Sequence, residues 1–171
     1  PANDFHPTKT GVVTLKREEQ MLADVNEAFE KFNIEARNLD EAYEKVLKLV
    51  EKEELNRSYQ TQISFLTAFT KGYPKFKNKW GEKIEVNLDS FQQFVAEEDK
   101  SCFVESIDFY FESEVTNQGV TFVDTPGADS INARHTDVAF EYIKNADAII
   151  FVTYYNHAFS KADREFLIQL G

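Results

Sequence analysis

The sequence predicts an α/β fold, and three patterns carry that prediction. Val120, Phe122 and Val123 form a short apolar run, as in a strand that a sheet buries on both faces. Residues 147–153 form a second such run, rich in β-branched side chains. Between them, residues 136–144 have the spacing of an amphipathic helix. Two buried strands joined by a helix predict a right-handed crossover.

The N-terminal part is expected to be a loop, a strand and then helices. Residues 1–10 are polar, contain two prolines and show no periodicity, which is typical of an exposed loop. Residues 11–16 predict a short strand. Residues 18–71 carry three apolar stripes at helical spacing, the last of which is expected to end at Gly72 as a C-terminal cap. These stripes are core faces or, alternatively, surfaces on which a partner helix docks.

Residues 72–81 are basic and aromatic. Interleaved lysines and aromatic rings are found where proteins contact nucleic acid or a membrane interface. This run is short, contains Pro74 and lies in an acidic chain, so we expect a surface loop.

Further short elements lead into the first apolar run. Residues 84–88 alternate as a strand would, and Asp89 or Ser90 is expected to cap the helix that follows. Residues 105–111 alternate as a half-buried strand. A polar turn at 113–119 is expected to return the chain into the first apolar run, so that the two strands form a hairpin.

Composition excludes several classes of protein. The chain has 171 residues, of which 42% are apolar and 14% aromatic, which supports one packed domain. A net charge of −11 makes nucleic acid an unfavourable partner. Cys102 is the one cysteine, which excludes a disulfide framework, fits a reducing cytosol and is read as a small buried hydrophobe. No apolar run approaches the roughly 20 residues of a membrane-spanning helix, and no signal-peptide pattern opens the chain, so we expect a cytosolic location.

The turn after the first apolar run carries the chemistry. It consists of Asp124, Thr125, Pro126 and Gly127. An Asp at the carboxyl end of a buried strand can hold a hydrated Mg²⁺, and a Gly beyond it leaves its N–H free to approach a terminal phosphate. The combination suits a nucleoside triphosphate switch, but a strand followed by Asp-x-x-Gly is common in α/β proteins, so taken alone it is first interpreted as a turn that merely ends a core strand.

The longer string around this turn resembles the GTPase domain of the dynamin family, and in particular bacterial dynamin-like proteins. The similar stretches are 124–130, then Arg134, His135, Thr136 and Tyr142, and finally 145–152. The resemblance implies GTP or GDP and Mg²⁺ as cofactors. It implies that residues 1–10 are switch I and 129–134 switch II.

The same resemblance assigns roles to single residues. Thr8 would ligate Mg²⁺ through its hydroxyl and help to position the attacking water, with Thr10 as a competitor. Asp124 would serve the metal, and Thr125, Pro126 and Gly127 would contact the nucleotide, Gly127 at the γ-phosphate. His6 and His157 are interpreted as loop residues instead of general bases.

Two motifs of a complete GTPase domain do not occur in the sequence. There is no Gly-x-x-x-x-Gly-Lys-Ser/Thr phosphate loop and no base-reading Asn/Thr-Lys-x-Asp. We therefore expect the switch-bearing middle of such a domain, with switch I and a strand in 1–17, a mainly helical insertion in 18–101, and a hairpin, switch II and a β-α unit in 102–171. Without the domain's first strand, the two apolar runs are expected to pair with each other or with another chain.

The resemblance implies a GTPase whose complete form couples GTP-dependent self-association to membrane remodelling at the inner face of the cell membrane. Membrane contact would come from parts outside these residues, and residues 1–171 alone are expected to be inactive. Two alternatives stay open. One is another GTPase of the translation-factor class with a regulatory role; the other is a non-catalytic helical interaction module on a degenerate GTPase core.

Overall fold

The computed structural model describes residues 1–52, 57–125, 133–152, 155–157 and 161–170. They belong to two compact units, Pro1–Thr121 and Phe122–Gly171, and each unit is described by itself.

The first unit is built on a three-stranded antiparallel sheet. Its strands are β1 (Thr10–Leu15), β2 (Lys83–Asn87) and β3 (Val104–Tyr110), in the order β2-β1-β3. Buried and half-buried residues alternate along the central strand β1, as the two-residue period of a strand requires. The three strands predicted at 11–16, 84–88 and 105–111 are confirmed, although β3 pairs with β1.

The described residues of this unit include five α-helices, which pack on one another and, through the fourth, on the sheet. They are α1 (Glu18–Glu30), α2 (Leu39–Lys52), α3 (Gln60–Phe76), α4 (Leu88–Ala96) and α5 (Glu98–Ser101), with 3₁₀ turns at Arg57–Tyr59 and Thr116–Gln118. Their apolar stripes meet in one core, whose largest fully buried side chains include Met21, Phe29, Leu39, Leu66 and Phe69. The prediction that the stripes are core faces is confirmed.

The predicted helix end at Gly72 is wrong. Helix α3 continues through Gly72 and Pro74 to Phe76. A Cβ atom at Gly72 would overlap the Asp99 carbonyl oxygen and lie 2.5 Å from the Phe103 ring. Gly72 therefore allows Asp99 and Phe103 to pack closely against the middle of the helix. It does not serve as a cap, which would use the conformational freedom of glycine.

The surface loop predicted for residues 72–81 is also wrong in part. Tyr73 and Phe76 lie in the last turns of α3 and are buried in the core. Trp80 is half-buried and packs against Phe103, with ring centroids 6.1 Å apart. Lys75 and Lys77 are exposed. Aromatic side chains and lysines are mixed here because the last turns of α3 and the turn that follows have one side in the core and the other in solvent.

The cap of α4 is Asn87, and the expectation of Asp89 or Ser90 is wrong. The Asn87 side-chain oxygen accepts the N–H of Ser90 at 3.0 Å. Strand β2 passes directly into α4, so the last strand residue occupies the N-cap position.

The second unit contains α6 (Ala133–Lys144), a 3₁₀ turn at Tyr155–His157 and α7 (Lys161–Leu170). The two strands predicted on either side of α6 are not formed in the described ranges 120–125 and 147–152. In these ranges the predicted hairpin with β3 and the predicted crossover are not formed. The two runs also do not pair with each other. Phe122 is 67% exposed, Ile150 79% and Val152 86%. A strand forms only against a neighbouring strand, and these described runs have none.

Candidate functional site

Residues 1–9 form a closed turn that folds onto the end of β3. The backbones of Asn3 and His6 exchange two hydrogen bonds, of 2.9 and 3.2 Å. The Asn3 side-chain oxygen also accepts the N–H groups of Phe5 and His6, each at 2.9 Å. The His6 ring stacks on Tyr110 with centroids 4.2 Å apart and planes 7° apart. The predicted loop is therefore an ordered turn, and His6 acts in it as a packing residue.

Thr8 and Thr10, the two candidates for the switch I threonine, differ in what their hydroxyls contact. The Thr10 hydroxyl donates to the Pro7 carbonyl at 2.6 Å and starts β1. The Thr8 hydroxyl oxygen accepts the backbone N–H of Glu112 at 3.0 Å and lies in the exposed part of the loop. Which of them is the metal ligand stays a prediction.

The residues predicted to contact metal and nucleotide after the first apolar run lie at the start of the second unit. Asp124 is exposed and Thr125 is half-buried. Pro126 and Gly127 lie outside the described residues, as does most of the predicted switch II at 129–134. A hydroxyl and a carboxylate are hard oxygen donors of the kind that Mg²⁺ prefers, so Thr8 and Asp124 fit that ion chemically. Among the described residues, no group of three or more His, Cys, Asp or Glu side chains is placed to hold a metal.

A buried ion pair at the other end of β1 was missed by sequence reasoning. The Lys16 ammonium lies 2.7 Å from the Asp24 carboxylate, and the two side chains are 3% and 1% exposed. The ammonium also donates to the Cys102 carbonyl at 2.7 Å. A signal was present, since Asp24 falls three residues after Met21 and four before Ala28, on the buried stripe of α1.

The backbone of Lys16 completes this junction. Its N–H donates to the Phe103 carbonyl at 2.8 Å, and its carbonyl accepts the N–H of Gly81 at 2.9 Å. Lys16 thereby ties β1, α1, the turn before β2 and the start of β3 to one another. The strand β1 follows directly on the candidate switch loop, and it is fixed by Lys16, the residue just after its last residue.

Two other polar groups are structural. The Tyr73 hydroxyl bonds to the Asp40 carboxylate at 2.5 Å and joins α3 to α2; burial and then this hydrogen bond raise the Tyr73 pKa above its usual value. Burial raises the pKa of the Cys102 thiol to about 12, which outweighs the lowering effect of Lys16. A thiol that stays protonated is a poor nucleophile, so Cys102 fits the packing role predicted for it.

Comparison with known proteins identifies the family. Residues 6–171 match the profile of the Dynamin family. The chain belongs to the dynamin family. It is 37% identical over 166 residues to Dynamin-like protein A of Bacillus subtilis (strain 168), which covers 95% of this chain and 13% of that protein. It is also 29% identical over 95 residues to an uncharacterized protein from the xynA 3′ region of Caldicellulosiruptor sp. (strain Rt8B.4), which covers 53% of this chain and 23% of that protein.

Membership in the dynamin family confirms the resemblance and the predicted fold class, a partial α/β GTPase domain of the dynamin type. The match covers both Thr8 and the run 124–127. The chain spans less than a quarter of the length of either relative named above. No helix in the described part of the chain is both long and apolar enough to cross a bilayer.

Proposed function

We propose that this chain carries the switch regions of a dynamin-like GTPase that binds GTP with Mg²⁺ and hydrolyses it. The observation that carries the proposal is the dynamin-family match over residues 6–171, which includes the predicted switch I threonine and the Asp-Thr-Pro-Gly turn. The phosphate loop would come from residues outside 1–171, because the motif does not occur within them.

Phosphoryl transfer in GTPases depends mainly on positioning and on neutralising charge. Thr8 would supply a hydroxyl ligand to Mg²⁺ and, through its backbone, orient the attacking water. Asp124 would hold the hydrated ion, and the Gly127 N–H would contact the γ-phosphate, with Thr125 and Pro126 shaping that turn. Thr8 and Asp124 are both exposed residues, which supports this assignment, since a solvated ion can reach each of them.

The complete protein would couple GTP-dependent self-association through the GTPase domain to remodelling of a membrane. We place it in the bacterial cytosol, peripheral to the inner face of the cell membrane. The net charge of −11 disfavours direct binding of this part to an anionic lipid surface, so membrane contact is assigned to other parts of the protein.

The test uses the full-length protein and measures GTP binding by calorimetry and phosphate release, both with Mg²⁺. Thr8→Ala and Asp124→Asn are expected to slow hydrolysis by about 100-fold or more, the usual effect of removing a positioned charge-stabilising group. Thr10→Val is the matched control and should hydrolyse at the unmodified rate. A full-length protein that binds no GTP would overturn the proposal, and loss with Thr10→Val in place of Thr8→Ala would move the ligand role to Thr10.

Residues 1–171 alone are expected to bind no GTP at micromolar concentration, because they lack the backbone cradle that holds the phosphates. Calorimetry that detects micromolar binding to this chain would contradict the expectation.

A further inference from the structure

We propose that the C-terminal end of α3 is a contact surface for a second copy of this chain, which supplies the opposite charges from the junction of its α4 and α5. The lysines of this end form what we call the lysine surface: Lys71, Lys75, Lys77, Lys79 and Lys83. The contact lies within the first unit and uses no nucleotide. It is therefore independent of the proposed GTPase function, and either can fail without the other.

The lysine surface is a local excess of positive charge in an acidic chain. Residues 71–83 contain five lysines and one acid, Glu82, whereas the whole chain has a net charge of −11. Four of the lysines are exposed and Lys79 is half-buried. Within the described part of the chain, none of the five ammonium groups forms an ion pair. Stabilisation of the helix end explains only lysines in its last turn, and Lys83 lies in β2.

The backbone that carries these lysines is fixed to the core. Tyr73 and Phe76 are buried, and Trp80 packs against the core cluster. The Gly81 N–H donates to the Lys16 carbonyl at 2.9 Å. The aromatic rings therefore point inward, so they are not placed to stack on bases or to enter a membrane interface. What remains on the outside is a set of fixed positive charges, which fits an anionic partner through charge alone.

A groove of about 480 Å³ with acidic residues on one wall lies beside the lysine surface. The other wall is α3, and Lys71 lines the groove at the end where the lysine surface begins. The acids are Glu97, Glu98 and Asp99 at the junction of α4 and α5. Glu97 pairs at 2.6 Å with the lysine three residues after it. Glu98 and Asp99 form no ion pair with any residue that the structure describes.

The groove and the lysine surface follow one another along α3, and this order makes the first unit self-complementary. In a twofold dimer each contact occurs twice, because each of the two surfaces meets the other surface of the second copy. Two antiparallel α3 helices would place Lys75 and Lys77 of each copy beside Glu98 and Asp99 of the other. Two copies of net charge −11 repel each other at long range. At physiological ionic strength, charges farther apart than about 8 Å are largely screened, so the local pairs decide the outcome.

The test is a charge swap in the full-length protein without nucleotide, followed by sedimentation equilibrium at about 0.15 M salt. One variant combines Lys75→Glu with Lys77→Glu, and the other combines Glu98→Lys with Asp99→Lys. The unmodified protein is expected to dimerise. Each variant alone brings like charges together and should associate at least about 10-fold more weakly. An equimolar mixture should associate again, because the reversed lysines of one variant meet the reversed acids of the other at both contacts.

The control variant combines Lys31→Glu with Lys48→Glu. Both lysines are exposed and lie outside the lysine surface, and the net charge changes by the same amount. This variant should associate like the unmodified protein. If a double variant does not fold, Lys75→Glu and Glu98→Lys alone repeat the design.

Three results would overturn the proposed contact. The first is an unmodified protein that is monomeric under these conditions. The second is self-association that the charge-reversed variants leave unchanged, or that the mixture does not restore. The third is binding to vesicles of anionic phospholipid that Lys75→Glu with Lys77→Glu abolishes while self-association stays the same, which would assign the lysine surface to lipid.

Discussion

Removing either partner of the Lys16–Asp24 pair should destabilise the first unit strongly, whereas replacing both should not. The perturbation is a double-mutant cycle of Lys16→Met, Asp24→Leu and the double variant. Each single change leaves one charge in a site that water does not reach, because the side chains are 3% and 1% exposed.

The magnitude follows from that burial. Losing one partner of a buried pair costs about 3–5 kcal/mol, since the desolvated charge that remains has no compensation. Lys16→Met also removes the 2.7 Å hydrogen bond that the Lys16 ammonium donates to the Cys102 carbonyl. Apolar replacement of both partners is often neutral or stabilising, so the double variant should lie within about 2 kcal/mol of the unmodified chain. The coupling energy should therefore exceed about 3 kcal/mol.

The assay is urea unfolding of residues 1–171 followed by the fluorescence of Trp80, the one tryptophan of the chain. Its ring packs against Phe103 at the same junction, so it reports on the first unit. Glu19→Ala is the control, because it breaks an exposed pair with Arg17 of 2.6 Å and should leave the midpoint unchanged. Single variants that each cost less than about 1 kcal/mol, or costs that simply add in the double variant, would refute the reasoning.

Further predictions concern other parts of the chain. Gly72→Ala should lower the free energy of unfolding by about 1–3 kcal/mol because its Cβ would meet a backbone carbonyl, whereas Lys71→Ala next to it should be neutral; equal stability of both in urea would contradict this. Cys102 should react with a disulfide reagent at pH 8 at least about 10-fold more slowly in the folded than in the unfolded chain, since burial raises its pKa to about 12, and a ratio near one would argue against burial. The same raised pKa means that the unfolded thiol loses its proton first, so this contribution to stability is present below about pH 9 and declines above it. Asn87→Ala should cost about 1 kcal/mol in the same unfolding assay, and Asn87→Asp, which keeps the capping oxygen, should not. The amides of residues 147–152 should be protected from exchange in the full-length protein, and a lack of protection there would contradict the expected strand pairing.

The elements that the sequence predicted correctly depend on local periodicity. The strands at 10–15, 83–87 and 104–110 show the two-residue alternation, and the helices show apolar residues at spacings near 3.6. Both periods arise from the geometry of the chain itself, so a single sequence contains them.

The errors depend on contacts between distant residues. Gly72 has the residue type of a cap, but its role is set by Asp99 and Phe103, which reach it only in the folded unit. Lys16 and Asp24 are charged residues of the kind usually found in solvent, and only the packing of α1 against β1 buries them together. In the candidate site, the sequence indicated Thr8 and the turn at 124–127, but not the backbone N–H that holds the Thr8 oxygen, since a main-chain donor has no sequence signature.

The residue pattern of the two apolar runs around α6 predicts strands, whereas the described residues of these runs form none. A run of β-branched and aromatic residues is typical of a strand that lies between two neighbouring strands in a sheet. The run itself cannot supply those neighbours. When they are missing, its backbone N–H and C=O groups bond to water, and no strand forms. Ile150 and Val152, at 79% and 86% exposure, leave more apolar surface in solvent than an independent folded unit normally keeps. Both runs therefore need sheet neighbours that the described residues do not supply.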